Sequence, residues 1–433
     1  MKHLLLAASL LVGFHATAQK QPAVSAATVA RVARTLTADD MAGRPSAGPG
    51  NLKAGQFLAA EFKRIGLQPL PGKESFLQEF EAYEAQTTTR TATLNGAALP
   101  SENIVLASGL PQISWTNAET TVRTVVVGAQ DNLFQVVRPL LDLHENAVVV
   151  VDPAHQAQFK RLLGLNQGSV KAQQPAAHAV ALLLATAPLD GAAPAFAVTG
   201  ATTIRPVAMR NVVGVLPGRD KKLAPEMVVF SAHYDHLGIL KAVEGDSIAN
   251  GADDDASGTT AVVALAEYYK KQKKNARTLV FVAFTAEEIG GFGSQYFSRQ
   301  LDPDKVVAMF NIEMIGKVAK FGPNTAFITG YERSDFGPLL QQNLQGSPFR
   351  FEPDPYPEQN LFYRSDNATL AKLGVPAHTI STDQIPTDKL YHSVDDEIES
   401  LDLTNMTAVI NAIARSATGI ISGQQTPTRV AKE

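Results

Sequence analysis

The chain from residue 211 onward alternates between short apolar runs and amphipathic runs. The apolar runs at 227–235, 278–288 and 305–316 have the length of strands, and the second has no polar face, which is typical of a strand buried in a sheet. Between the first two, residues 258–272 carry apolar side chains at helical spacing. This alternation predicts an α/β fold in which helices sandwich a mixed, mainly parallel sheet.

Residues 85–204 have a different composition, rich in Thr, Ala and Gln, with short β-like runs such as 147–152. They predict an inserted smaller, β-rich domain with its own sheet. The interrupted domain then consists of residues 19–84 and 205–425. Residues 426–433 are left as a tail, which we expect to be frayed.

The first 18 residues have the order of a secretory signal peptide. Lys2 precedes an apolar stretch, Leu4–Phe14, and the small residues Ala16 and Ala18 follow at the spacing of a cleavage site. The apolar stretch is too short to span a bilayer. We therefore expect an exported protein, periplasmic or extracellular, with a signal peptide at 1–18.

The composition limits the partners and the metal ligands that the chain can have. Hydrophobic residues make up 45% of the 433 residues and the net charge is -4, so a soluble globular protein is expected, with no membrane span and, in the absence of a basic run, no nucleic-acid partner. The chain contains no cysteine, so any metal must be held by imidazole and carboxylate groups. Nothing in the sequence indicates the oligomeric state.

Acidic and histidine side chains follow several of the apolar runs. Burying such groups is costly without a metal or a partner, and ligands of open α/β sheets bind at the carboxyl ends of strands. Two neighbouring zinc ions need one bridging carboxylate and, for each ion, one imidazole and one further carboxylate. Five residues meet this count: His233, Asp254, Glu288, Glu313 and His392.

Two further acidic residues lie beside these candidate ligands. Asp235 follows His233 by two positions and suits a role in orienting its imidazole. Glu287 precedes Glu288 and is the candidate general base for the activation of water. The pattern predicts metal-assisted hydrolysis.

Three motifs together resemble metallopeptidase family 28, the di-zinc aminopeptidases whose relatives include aminopeptidase Y and glutamate carboxypeptidase. The motifs are "SAHYDHLG", "GADDDASG" and "TAEEIGGFGS", and the resemblance covers 41–84 and 211–421. It implies a phosphorylase/hydrolase-like fold, two Zn²⁺ per chain, peptide substrates and a role for 85–204 as a protease-associated-like domain. In family terms, His233 and Glu313 hold the first metal, Asp254 bridges, Glu288 and His392 hold the second metal, and Glu287 is the base.

The resemblance also implies a cis peptide at Asp254–Asp255. Two positions depart from the family pattern. Glu313 stands where Asp is common, which changes the reach of the carboxylate, and Asn367 stands where His often follows Ser-Asp, which changes local contacts.

The predicted activity is removal of N-terminal residues from peptides. The alternatives are a carboxypeptidase, which would need an Arg cluster to bind the substrate carboxylate, a glutaminyl cyclase on a related fold, and an inactive binding relative. The complete set of ligands favours a di-zinc hydrolase over the last two.

Overall fold

The computed structural model describes residues 23–119, 121–141, 144–191 and 194–433. The predicted signal peptide at 1–18 lies outside the described residues. The strands, in chain order, are β1 (Leu77–Leu94), β2 (Ala97–Ala98), β3 (Ile104–Ser108), β4 (Gln112–Thr116), β5 (Arg123–Val127), β6 (Ala147–Val151), β7 (Ser169–Lys171), β8 (Ala179–Leu184), β9 (Phe196–Leu216), β10 (Met227–His233), β11 (Gly238–Val243), β12 (Asp246–Ala249), β13 (Thr278–Phe284), β14 (Val306–Ile312), β15 (Thr325–Ile328), β16 (Arg350–Pro353) and β17 (Ala377–Ser381).

The main sheet is mixed, with the order β16-β15-β17-β14-β10-β13-β9-β1-β2. Its centre is parallel, because β10 pairs in parallel with both β13 and β14, and β14 pairs in parallel with β17. The pairs that β9 forms with β13 and with β1 are antiparallel. The predicted α/β class with a mixed sheet is confirmed.

A second sheet, with the order β3-β8-β6-β5, lies within the segment 85–204. Its strands β6 and β8 are buried along their whole length. The long strands β1 and β9 pair from Leu77↔Val212 to Leu94↔Phe196, so they run through both of the predicted boundaries of the inserted domain. The division into domains at these boundaries stays a prediction.

The α-helices pack on both faces of the main sheet or against the second sheet. Alternate residues of β10 point to opposite faces of the sheet. Phe230 packs in the core beside helix α5 (Gly258–Gln272), whereas Val229 packs with Phe297 of α6 (Phe292–Arg299) and Leu370 of α8 (Asn367–Lys372). The helices are α1 (Ala26–Leu36), α2 (Pro49–Ile65), α3 (Leu133–Leu140), α4 (Gln156–Leu162), α5 (Gly258–Gln272), α6 (Phe292–Arg299), α7 (Phe336–Asn343), α8 (Asn367–Lys372), α9 (Leu403–Ser416) and α10 (Thr418–Ile421).

Local sequence explains where the helices near the site begin and end. Pro49 occupies the first turn of α2, and Gly66 ends it in the left-handed conformation with φ 83°. Helix α5 begins at Gly258, where an added Cβ would lie 2.1 Å from the main-chain oxygen of Ile312. Only glycine allows this helix to start so close to the end of β14.

Residues 426–433 are not frayed, in contrast to the expectation. Arg429 donates to the main-chain oxygen of Val306 at 2.8 Å, Val430 is buried, and the main-chain nitrogen of Glu433 donates to Lys372 at 3.1 Å. Contacts this distant in sequence give no local signal, so the sequence alone does not predict that these residues are ordered. In the described part of the chain, none of the helices has the length and apolar character needed to cross a membrane.

Candidate metal centre

The carboxyl ends of three parallel strands bring the candidate residues to one edge of the main sheet. His233 is the last residue of β10, Glu313 follows the last residue of β14, and Glu287 and Glu288 lie in a turn shortly after β13. Because β13 and β14 flank β10 in parallel register, their ends are neighbours. The predicted location at strand ends is what the structure shows.

Asp254 lies at the centre of the cluster. Its Oδ1 is 3.2 Å from Nε2 of His233, and its Oδ2 is 3.3 Å from Nε2 of His392. The same nitrogen of His392 is 3.3 Å from Oε2 of Glu288. One ligand atom from each of His233, Asp254 and Glu288 lies within 4.8 Å of the other two. Three of the other four predicted ligands, His233, Glu288 and His392, therefore lie around the carboxylate of Asp254.

Glu313 directly follows β14, which is the parallel neighbour of β10. Its main-chain nitrogen donates to Ile380 at 3.1 Å, which fixes the backbone where the side chain leaves the sheet. Burial raises the pKa of Glu313 to about 7; His233 opposes this shift, and the charge of Asp254 adds to it. These interactions place Glu313 in the same electrostatic site as His233 and Asp254.

The arrangement of the donor atoms suits the binding of a cation better than hydrogen bonding between the side chains. Nε2 of His233 and Oε2 of Glu313 are buried and make no hydrogen bond of acceptable geometry among the described residues. Hydrogen bonds to Asp254 and Glu288 raise the pKa of His392 to about 10, which shows an excess of negative charge. Imidazole and carboxylate donors without thiolate fit zinc.

Glu287 lies in the turn after β13, and its backbone is fixed there. Its main-chain nitrogen donates to Oδ1 of Asp235 at 3.2 Å, and the preceding residue, Ala286, has a left-handed φ of 62°. Burial raises the pKa of the Glu287 carboxyl well above its usual range; His233 opposes this, and nearby carboxylates such as Glu313 add to it. A carboxylate with a raised pKa is suited to take a proton at neutral pH.

Asp235 acts on His233 differently from the expectation. The main-chain oxygen of Asp235 lies 3.1 Å from Nδ1 of His233, whereas the carboxylate oxygen Oδ1 lies 3.8 Å away, too far for a hydrogen bond. The carboxylate instead accepts from the hydroxyl of Ser46 at 2.5 Å and from the main chain of Glu287. It therefore orients the imidazole through its backbone and fixes the turn of Glu287 through its side chain.

The loop before α5 sets the position of Asp254. The Asp254–Asp255 peptide is cis, as the family resemblance implies. The carboxylate of Asp255 accepts from the main-chain nitrogens of His233 at 3.2 Å and Met314 at 3.1 Å. Asp396 accepts from the main-chain nitrogen of Asp254 at 3.1 Å. The buried carboxylate of Asp255 thus links the end of β10 to the end of β14.

His236 was not singled out from the sequence, although it lies three residues after His233. Its Nδ1 is 2.7 Å from Oε1 of Glu288, and the ring is buried. A hydrogen bond from an imidazole to a ligating carboxylate fixes the orientation of that ligand. The "HYDH" spacing is a signal that could have identified it.

Arg44 was also missed. Its fully buried guanidinium donates to the main-chain oxygens of Tyr234 at 2.7 Å, Asn250 at 2.6 Å and Gly251 at 2.9 Å. It also donates to the oxygen of Leu36 at 2.6 Å. The side chain of Arg44 therefore connects the loop after His233 with the loop before Asp254. No local sequence pattern predicts this role.

Asn367 forms hydrogen bonds that stabilise the fold. Its amide nitrogen donates to the main-chain oxygens of Phe362 at 2.9 Å and Ala377 at 3.1 Å, and its oxygen accepts from the hydroxyl of Thr379 at 2.9 Å. These bonds hold the start of α8 against β17. The departure from the family pattern at this position is accommodated by neighbouring backbone.

Part of the chain is similar in sequence to known proteins. Residues 211–417 match the family model for peptidase family M28. Leucine aminopeptidase 1 of Pyrenophora tritici-repentis (strain Pt-1C-BFP) is 28% identical over 213 residues, which are 46% of this chain and 53% of that protein. The chain thus spans about half the length of this curated relative.

Two solved structures share the fold. The aminopeptidase from Aneurinibacillus sp. strain AM-1 superposes with a TM-score of 0.56 at 17% identity, covering 94% of this chain and 95% of that one. BSAP, a zinc aminopeptidase from Bacillus subtilis, gives a TM-score of 0.56 at 14% identity, covering 96% and 100%. At these identities the likeness shows the fold.

Proposed function

We propose that the protein is a zinc-dependent aminopeptidase that releases N-terminal residues from peptides and uses two zinc ions. Residues 211–417 match the family model for peptidase family M28, which supports this proposal. The observation that carries the proposal is the meeting of His233, Glu288 and His392 around Asp254, with the carboxylate of Glu287 beside them. The name of the fungal relative supports an aminopeptidase in particular.

We assign the ligands as the resemblance implies. His233 and Glu313 would hold one ion, Glu288 and His392 the other, and Asp254 would bridge. The contacts of the two Asp254 oxygens support this division, since Oδ1 is near His233 and Oδ2 is near His392. When bound, zinc supplies a Lewis acid that polarises the scissile carbonyl and acidifies water.

The side chains of the protein perform the proton transfers. Glu287 takes a proton from the attacking water and delivers it to the leaving amine. Its raised pKa suits both steps, because the carboxyl must hold the proton between them. Asp235 holds the turn of Glu287 in place through its hydrogen bond to the main-chain nitrogen.

Export belongs to the same proposal. The order of Lys2, the apolar stretch Leu4–Phe14 and the small residues Ala16 and Ala18 supports cleavage after residue 18. Intact mass measurement of the protein secreted by its host would test this. A mature N-terminus at Gln19 is expected, and retention of residues 1–18 would contradict export by this route.

Product analysis separates the proposed activity from its alternatives. A pentapeptide with a free N-terminus and an amidated C-terminus should lose its first residue, and the N-acetylated form should resist. Mass spectrometry of the products reads the outcome directly. Release of the last residue from the same peptide with a free C-terminus would show a carboxypeptidase, and loss of ammonia from a peptide with an N-terminal glutamine would show a cyclase. No reaction with any of these peptides would contradict the proposal.

A further inference from the structure

A cleft of about 630 Å³ opens beside the candidate base. It begins at Glu287 and the turn after β13, continues along helix α6 to Arg299, and is closed on the other side by Arg364 and by helix α8 with Lys372. Arg364 and Ser365 also line the smaller pocket that contains Glu313. The large cleft thus adjoins the candidate metal centre.

The cleft is strongly cationic. Three of its lining residues, Arg299, Arg364 and Lys372, are basic and exposed, while Glu287 is the one acidic residue among the described residues that line it. None of the three cations forms an ion pair within the described part of the chain. Their polar partners are neutral: Arg299 lies 3.4 Å from Gln295 and Arg364 lies 3.3 Å from Gln359.

Two exposed arginines elsewhere in the protein show the contrast, because each forms an ion pair. Arg123 contacts Glu145 at 2.8 Å, and Arg205 contacts Glu84 at 2.5 Å. Three cations that line one cleft, without an ion pair among the described residues, create a positive potential that attracts anions and raises their local concentration. The cleft is therefore built to receive negative charge from a ligand.

We propose that this cleft binds a carboxylate carried by the leaving part of the peptide substrate. The inference rests on the proposed function, because Glu287 delivers its proton to the leaving amine, and the peptide beyond that amine must extend from Glu287 into the adjoining space. The carboxylate is the C-terminus of a short peptide or an acidic side chain near the cleavage point. Each extended residue advances the chain by roughly 3.3–3.6 Å, so a carboxylate one or two residues beyond the amine lies within the cleft.

The exposure of the cations sets the size of the effect. An exposed ion pair changes binding by about two- to fivefold, and screening by salt weakens it. Three cations acting together should favour a carboxylate over its neutral amide by about tenfold or more at low ionic strength.

The test compares matched substrates on the full-length enzyme. The first pair is Leu-Ala-Ala and its C-terminal amide, and the second pair is Leu-Asp-Ala-amide and Leu-Asn-Ala-amide. The measured quantity is the ratio of kcat/KM within each pair, at about 10 mM and about 300 mM salt. A ratio well above one in the first pair identifies the C-terminal carboxylate, and in the second pair an acidic side chain. Either ratio should fall as the salt is raised.

The variant Arg299→Gln/Lys372→Gln should move the ratio toward one. The control Lys160→Gln/Arg161→Gln removes the same charge from exposed positions of helix α4 and should leave the ratio as in the parent enzyme. Ratios near one for both pairs in the parent enzyme, or an equal fall in the control, would overturn the proposal. Failure to hydrolyse any of the four peptides would instead contradict the peptidase activity itself.

Discussion

Arg44 offers the sharpest test of how the fold holds the metal centre. We consider the substitution Arg44→Met, which retains much of the apolar stem but removes every hydrogen-bond donor. The guanidinium bonds to four main-chain oxygens on three segments, including the loops that carry His233 and Asp254. Burial lowers the pKa of Arg44 to about 10, so the group is still charged at neutral pH and its bonds are charge-assisted.

The magnitude follows from the acceptors left behind. A buried oxygen that loses its donor costs about 1–3 kcal/mol. The oxygen of Gly251 also accepts from the main-chain nitrogen of Ala256 at 3.2 Å and so keeps a partner. The other three acceptors together give a loss of roughly 3–9 kcal/mol in the free energy of unfolding. Residues that orient metal ligands typically change metal affinity by about 10–100-fold, and a similar loss of zinc affinity is expected here.

The assay needs a control for simple destabilisation. Arg277 is nearly as buried, and it donates to the main-chain oxygens of Ile420 and Gln425 at 2.6 Å, away from the metal centre. Arg277→Met should therefore lower stability without changing zinc affinity. Arg44→Lys, which keeps the charge but loses the planar geometry, should lie between the parent and Arg44→Met in both properties.

Denaturant unfolding of the metal-free protein and zinc titration against a competing chelator measure the two quantities separately. The account predicts that both arginine-to-methionine variants lose stability and that Arg44→Met alone loses zinc affinity. Equal zinc affinity in the parent and in Arg44→Met, or an equal loss in Arg277→Met, would refute a positioning role for Arg44.

Two further predictions concern protons. Glu287→Gln should keep both metals and lose turnover by about 10²–10⁴-fold, whereas Glu288→Gln should bind one metal more weakly; zinc content and turnover of both variants decide this, and the opposite pattern would reverse the roles. Burial lowers the pKa of His378 from the usual 6.5 of an imidazole to about 4. The unfolded chain therefore binds more protons between these pH values, and the free energy of unfolding should fall as the pH decreases through that window. His378→Asn should remove up to roughly 3 kcal/mol of this fall in denaturant titrations, and parallel pH profiles would contradict it.

Residues at the ends of apolar runs could be predicted from the sequence. His233, Glu288 and Glu313 lie at or just after the ends of strongly apolar runs. A charged group is costly to bury there unless it binds a metal or another partner. Helix α5 was predicted at 258–272, where the structure has it. In these cases the signal is local, so a single sequence is sufficient.

The rest depended on contacts between distant segments. Arg44 bonds to oxygens 190 and 206 residues away, and His236 contacts a glutamate 52 residues away. The long strand β1 alternates between buried and exposed positions and is rich in threonine, so its sequence resembles a polar linker more than the partner of a central sheet. Tertiary pairing with β9, which no local pattern encodes, determines its conformation.

The central claim is that two zinc ions bound by His233, Asp254, Glu288, Glu313 and His392 are required for N-terminal peptide hydrolysis. The most direct measurement titrates zinc into the metal-free protein while elemental analysis and release of an N-terminal leucine are followed on the same samples. The account predicts saturation at two zinc ions per chain, with activity that vanishes on chelation and returns with the metal. Saturation without any activity, or full activity in the protein freed of metal, would contradict it.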